Sequence, residues 1–169
     1  VLDVTKIEVL DQLCDFLRDA VADLMLPVSV QKAGEVAGLR PAEIIKQSLP
    51  NISQGKKKAP YIIVQIISGA DSQPAGERTQ SSCLVRFVFC TYCDNEQEGY
   101  LHLMNLMERV RIAVLKTRTV AKKIRLNLDE PMEHMIYMTP TSPYYGGEMI
   151  STWKFPSIER EVNPEWLQP

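Results

Sequence analysis

Hydrophobic residues near the start of the chain recur every three or four positions, the spacing of one face of an α-helix. The apolar stripe runs from Ile7 to Leu24, and acidic residues occupy the opposite face. Thr5 and Glu8 fit a capping box, and Pro27 cannot continue a helix. The pattern therefore predicts a helix from about Thr5 to Leu26.

Further along, two β-branched stretches, PYIIVQIIS and CLVRFVFCTY, flank a segment at 70–82 that is rich in Gly, Pro and Ser. This order predicts an antiparallel hairpin with a long loop. Apolar residues at helical spacing from 100 to 114 predict a second helix, capped near Asp94 or Asn95. Alternating runs at 132–138 and 149–155 then predict a closing hairpin.

The predicted order after the leading helix is ββαββ. It favours a single α+β domain of 169 residues, with two helices packed on one face of a mainly antiparallel four-stranded sheet. Residues 28–60 are predicted to be an irregular insertion, and 162–169 a surface tail anchored by Trp166. A composition of 45% hydrophobic and 24% charged residues is that of an ordinary globular chain.

Overall charge and cysteine content exclude several classes of protein. The formal charge of -2 gives no sign of a nucleic-acid-binding protein. The longest apolar stretch, YIIVQII, is far too short to span a bilayer. Four cysteines in a chain of this length do not suggest a disulfide scaffold, so we expect a reducing cytoplasm.

Charge is nevertheless polarised along the sequence. Residues 1–27 carry a net charge of -4, and residues 109–125 carry +7 with no acidic residue. The acidic face of the first helix has two interpretations, a solvated surface or a strip that binds a basic partner. The residues concerned are Asp11, Asp15 and Asp19 on the acidic side and Arg111, Arg118 and Lys122 on the basic side.

The pair Cys90 and Cys93 has the spacing of a zinc knuckle or a redox dithiol. Side chains alternate along a strand, however, so an odd offset places the two thiols on opposite faces. Cys14 lies on a helix, and no second pair completes a tetrahedral site. We therefore interpret the cysteines as buried or edge residues and expect no metal or cofactor.

No motif for an enzymatic site is evident. The chain has no Gly-rich phosphate loop, no GxSxG and no HExxH. His102 falls within the second helix and His134 within a strand, with no Ser or Cys at a spacing that implies a triad. Glu130 and Glu133 lie near His134, but Glu133 and His134 face opposite ways in a strand. We expect the protein not to be an enzyme.

The order of elements resembles the tail terminator or tail-completion proteins of long-tailed bacteriophages. The local likenesses are APYIIVQIISGAD, where a proline enters the first strand, and TSPYYGGEMISTWKF, where a Pro-aromatic-Gly turn leads into the last strand. The resemblance covers roughly Thr5 to Glu161. Residues 28–60 and the tail after Glu161 are additional to the minimal pattern.

The resemblance implies a structural protein of a phage or prophage virion, assembled in the host bacterial cytoplasm. Such proteins form a ring, usually of six subunits, that caps the tail tube and meets the head connector. They have an α/β fold and need no cofactor, and DNA passes through the lumen without being read. The ring implies that the partners are other copies of the chain, the tail-tube proteins and the head-connector proteins.

A head-to-tail ring needs two different complementary surfaces on each subunit. The six charged residues named above are expected to supply them, while Glu77 and Arg78 of the long loop are expected to contact the lumen or the tube. Two alternatives remain open. In the first alternative the chain is another neck or minor tail component that acts as an adapter. In the second it is a small cytoplasmic ligand-binding or enzymatic α+β domain.

Overall fold

The computed structural model describes residues 3–30, 34, 36, 38–49, 59–139, 142–162 and 165. Helices α1 (Lys6–Val21) and α2 (Glu96–Thr117) pack against each other and against the main sheet. The strands are β1 (Leu26–Pro27), β2 (Leu39–Arg40), β3 (Glu43–Lys46), β4 (Tyr61–Ser72), β5 (Gln80–Tyr92), β6 (Thr119–Val120), β7 (Ile124–Asn127), β8 (Glu133–Ile136) and β9 (Tyr144–Phe155).

Helix α1 begins where the sequence predicts and ends earlier. The Thr5 hydroxyl accepts a hydrogen bond from the Glu8 amide at 3.2 Å, which confirms the predicted cap. The helix stops at Val21 rather than near Leu26, because Leu26 is buried in β1, which pairs with β2. Ile7, predicted in the apolar stripe, is 72% exposed.

Helix α2 has a defined cap at each end. The Asn95 side chain accepts a hydrogen bond from the Gln97 amide at 3.0 Å, so the prediction of a cap near Asp94 or Asn95 is confirmed. At the other end Arg118 adopts a left-handed conformation with φ of 53°, and its amide donates to the Val114 carbonyl at 2.8 Å. This geometry satisfies a terminal carbonyl that the helix leaves unpaired.

The predicted four-stranded antiparallel sheet is wrong. The main sheet has seven strands in the order β3-β4-β5-β9-β7-β6, with β8 also paired to β9, and it is mixed because β3 runs parallel to β4. A second sheet consists of β1 and β2. Strands β1, β2, β3, β6 and β7 are two to four residues long, too short to show a period of two in the sequence. Strands β2 and β3 lie within the segment 28–60, which was predicted to be irregular, and β1 directly precedes it.

The segment 28–60, predicted to be an irregular insertion, therefore contributes strands. It contains β2 and β3, and β3 extends the main sheet beside β4. Residues 50–58, which include the lysine run at 56–58, and Trp166 lie outside the described residues.

The hairpin of β4 and β5 extends well beyond the body of the sheet. Backbone pairing continues to Ser72 and Gln80, so the connecting loop is 73–79 rather than the predicted 70–82. A ladder of backbone hydrogen bonds needs no apolar side chains, which is why the polar composition of this segment concealed its strands. We call residues 67–80 the hairpin arm.

The core lies between the two helices and one face of the sheet. Alternate residues of β5 and β9 are buried on this face, and the opposite face, which we call the open face, is partly exposed. The largest fully buried side chains include Trp153, Phe87 and Phe89. The helices and this face form one continuous hydrophobic cluster.

Candidate assembly surfaces

Two of the three acidic residues proposed as subunit contacts are paired within the chain. Asp11 accepts from the Lys46 ammonium at 2.5 Å, and Asp15 accepts from Arg18 at 2.6 Å. Asp19 forms no ion pair within the part of the chain that the structure describes. The acidic face of α1 is therefore partly neutralised before any partner binds.

The basic residues of the same proposal are also partly occupied. Arg111 pairs with Glu108 at 3.2 Å. Arg118 ends α2, and its guanidinium donates to the Leu115 carbonyl at 3.2 Å. Lys122 lies in the turn between β6 and β7 with φ of 62° and has no ion pair among the described residues.

Acidic and basic stretches also meet inside the folded chain. Asp23 on the segment after α1 pairs with Arg109 of α2 at 2.5 Å, and Glu8 pairs with Lys123 at 2.6 Å. These side chains are between 34% and 77% exposed, so each pair contributes only about 0.2–1 kcal/mol. The charge polarity seen in the sequence thus partly serves contacts within the folded chain.

Four basic side chains surround a cavity of about 340 Å³ at the end of the sheet. It is lined by Lys122, Lys123, Arg125, Lys154, Phe155 and Pro156. A neighbouring cavity of about 640 Å³ shares Pro156 and is lined by the acidic residues Asp3, Glu159 and Glu161 among others. Opposite charges therefore lie side by side here, rather than on two separate surfaces.

Helix α2 carries exposed apolar residues on the side away from the core. Leu101 is 62% exposed, Met104 45% and Ile112 44%, and their spacing places them along one side of the helix. We call these three residues the α2 outer face. The opposite side of the helix packs on the sheet, so α2 carries apolar residues on two sides.

A second group of exposed apolar residues lies in β8 and just beyond it. Met135 is 52% exposed and Met138 71% exposed, and we call this pair the β8 rim. Met135 pairs with Glu148 of β9, whose side chain lies on the open face, so Met135 points to the same face. A shallow cavity of about 510 Å³ beside it is lined by Met132, Glu133, His134, Met135, Glu148 and Ile150.

Polar side chains occupy the middle of the open face. Arg86 donates to the Gln65 side chain at 2.9 Å and lies 3.7 Å from the Glu148 carboxylate. The Tyr137 ring packs over Gly146. Burial is the main cause that raises the pKa of the Tyr137 phenol, and a hydrogen bond to Glu148 raises it further. This network fixes one arrangement of charges at the centre of the open face.

The two predicted loop contacts lie at the tip of the hairpin arm. The Glu77 carboxylate accepts from the Gln80 side chain at 2.8 Å, and the Glu77 amide donates to the Pro74 carbonyl at 3.0 Å. Arg78 is exposed beside it. The arm is tied to the body through Ser157, whose hydroxyl donates to the Thr79 carbonyl at 2.8 Å.

Cys90 and Cys93 do not form a dithiol site. Strand β5 ends at Tyr92, and all four cysteines are free thiols. Cys90 faces the partly exposed side of the sheet, whereas Cys93 lies just past the strand and is buried. The cysteines were interpreted as buried or edge residues. Cys14, Cys83 and Cys93 are buried, but Cys90 is partly buried on β5, which lies between β4 and β9 and is not an edge strand.

Two thiols are expected to be inert in the native protein. Burial raises the pKa of Cys14 and Cys83 to about 11, against about 8.5 for an exposed thiol. At pH 8 the fraction of each buried thiol that is present as the reactive thiolate is therefore more than about a hundredfold lower than for an exposed thiol. Alkylation at pH 8 with peptide mass mapping should label both residues at least about a hundredfold faster after unfolding in urea. Comparable labelling of the native protein would contradict this assignment.

Cys93 has neighbours that the sequence analysis did not connect with it. Its Sγ atom, a Glu98 carboxylate oxygen and a His102 ring nitrogen lie within 4.8 Å of one another. The spacing between cysteines gives no sign of this group. The sequence pattern that indicates this group is a Cys just before a predicted helix, followed by Glu and His four residues apart in the first turns of that helix.

Comparison with known proteins adds no assignment. No protein-family model matches the chain, and no curated protein matches it significantly. Neither helix in the described part of the chain has the length and apolar character needed to cross a bilayer.

Proposed function

We propose that this protein is a structural subunit of a phage or prophage virion, assembling head to tail into a ring that ends the tail tube and joins it to the head connector. The observation that carries the proposal is the pair of unlike apolar surfaces, the α2 outer face and the β8 rim. One lies on the helical side of the sheet, and Met135 of the other points to the open face.

A ring of identical subunits needs one patch that binds a different patch on the next copy. Exposed apolar side chains on two sides of one subunit provide such patches, whereas a single patch would favour a closed dimer. Apolar burial supplies most of the affinity in an interface of this kind. Charges such as those of Asp19 and Lys122 then mainly set orientation.

The resemblance described above gives the proposal its biological setting. Six subunits, a position in the neck of the virion, and contacts with tube and connector proteins all come from that resemblance. The hairpin arm agrees with it, because a paired ribbon that carries Glu77 and Arg78 at its tip extends a contact beyond the subunit body. DNA then passes through the lumen without sequence-specific contacts.

The first test is the mass of the native particle by native mass spectrometry and light scattering across a concentration series. We expect a closed oligomer in which Met104→Lys with Ile112→Lys, or Met135→Lys with Met138→Lys, leaves only monomer. Substitutions at exposed positions change the free energy of unfolding by no more than about 0.5 kcal/mol. Both variants should therefore give the same circular dichroism spectrum as the parent. Lys at 104 or 112 also lies four residues from Glu108, a favourable helical spacing.

A control variant carries the same added charge elsewhere on α2, as Gln97→Lys with Thr117→Lys, and should assemble like the parent. Mixing the two defective variants gives the sharper result. Each retains the surface that the other lacks, so the mixture should form a dimer and stop there. If the β8-rim variant assembles normally, the interface is not head to tail. A parent that stays monomeric at all concentrations favours the adapter role instead.

A further inference from the structure

The cluster of Cys93, Glu98 and His102 brings three metal-ligating groups together from two adjoining elements. Their ligand atoms lie within 4.8 Å of one another. Cys93 follows the last residue of β5, and Glu98 and His102 lie in the first two turns of α2. The three residues are close in sequence, so their convergence depends only on the turn between strand and helix.

The backbone on both sides of this turn is held by hydrogen bonds. The Cys93 amide donates to the Pro143 carbonyl at 2.9 Å, which fixes the chain as it leaves the strand. Asn95 then caps α2. Glu98 and His102 are four residues apart, so both side chains project from one side of the helix toward the chain at Cys93.

Burial within the cluster is graded. Cys93 is 6% exposed, His102 is partly exposed, and Glu98 is exposed. An ion approaching from solvent therefore meets the carboxylate first and the thiol last. A site of this form has an entry path together with an inner ligand that is shielded from water.

The donor set selects the kind of ion. Sulfur and imidazole nitrogen are ligands of zinc and similar transition metals, whereas calcium and magnesium prefer oxygen alone. Zinc–ligand bonds of about 2.0–2.3 Å place neighbouring ligand atoms of a tetrahedral site about 3.4–3.6 Å apart. Groups already within 4.8 Å reach that spacing through small side-chain rotations.

We propose that Cys93, Glu98 and His102 bind one divalent transition metal ion of the zinc class, with the fourth position open to solvent. The bound ion joins the end of β5 to the first two turns of α2, a link that backbone hydrogen bonds alone do not provide. This inference replaces the expectation from sequence that the chain binds no metal. It is independent of the proposed ring, since the site lies within one subunit.

The other cysteines lack such surroundings. Burial raises the pKa of the Cys14 and Cys83 thiols, and it is also the main cause that raises the pKa of Cys90. No other group of three potential ligands converges within the described ranges. Variants of these cysteines therefore serve as controls for the proposed site.

The test is titration of chelator-treated full-length protein with Co²⁺ and with Zn²⁺. Cobalt should bind at one equivalent, with a sulfur-to-metal charge-transfer band and the intense visible bands of a four-coordinate ion, and zinc should displace it. His102→Gln should weaken binding by at least about tenfold, as loss of even an indirect ligand contact does. Cys93→Ala should remove the charge-transfer band.

Two controls make the outcome decisive. His134→Gln changes the other histidine, and Cys90→Ser changes the thiol three residues earlier in the chain. Both variants should bind cobalt like the parent. Glu98→Gln alters only an exposed side chain, so it tests the site even if Cys93→Ala does not fold. Absence of the charge-transfer band in the parent at saturating cobalt overturns the proposal. So does equal affinity in the parent, His102→Gln and Glu98→Gln.

Discussion

Replacing Trp153 with alanine should lower the free energy of unfolding by about 3–5 kcal/mol. Trp153 is fully buried near the end of β9, and on the two neighbouring strands it pairs with Cys83 and Leu126. Its indole N–H donates to the buried Ser151 hydroxyl at 2.9 Å. Alanine would leave both a cavity and a hydroxyl without this donor.

Urea denaturation followed by far-ultraviolet circular dichroism measures this loss without relying on tryptophan fluorescence. Trp153→Phe should cost less than the alanine variant, because it retains most of the buried ring. Lys154→Ala, one residue along on the opposite face, should change stability by no more than about 0.5 kcal/mol. Equal midpoints for the alanine variant and the parent would show that β9 does not contribute to the core as described.

Gly99→Ala should destabilise the protein by about 1–3 kcal/mol, against the usual preference of helices for alanine. Gly99 lies in the first turn of α2, and a Cβ atom there would come within 2.1 Å of the Tyr145 ring. That ring cannot easily move, since Tyr145 is 4% exposed and packs edge-on against Tyr100 with ring centroids 4.8 Å apart. Steric conflict should therefore exceed the gain of about 1 kcal/mol from helix propensity.

A double-mutant cycle separates the two contributions. In a Tyr145→Ala background the space above Gly99 is free, so adding Gly99→Ala should be neutral or stabilising. The measurement is the difference in unfolding free energy within each pair. A similar loss in both backgrounds would mean that the ring is not the cause.

Long periodic segments were predictable because each carries its own signal. The cap of α1 at Thr5 and the cap of α2 at Asn95 follow from local side-chain chemistry, and the β-branched runs of β4 and β5 identify a hairpin. Strand β3 carries no such signal. It is only four residues long, and tertiary packing determines that it pairs in parallel with β4.

The charged residues show a different limit of sequence reasoning. Net charges along the chain indicated two oppositely charged surfaces, but they could not show that Asp23 meets Arg109 or that Glu8 meets Lys123. Those pairs depend on how α1 packs against α2 and near the β6–β7 turn. Similarly, the convergence of Cys93 with His102 depends on where β5 ends, and element boundaries are the least predictable feature of a sequence.

Strand β9 has a consequence for synthesis of the chain. It pairs with β5 on one side and with both β7 and β8 on the other, yet it follows all three in the sequence. While a ribosome is still translating the segment up to Tyr144, the thirteen-residue β5 has an unpaired edge, which is prone to pairing with other chains. A nascent chain therefore completes its sheet only after β9 leaves the exit tunnel, and until then this edge of β5 is open to pairing with other chains.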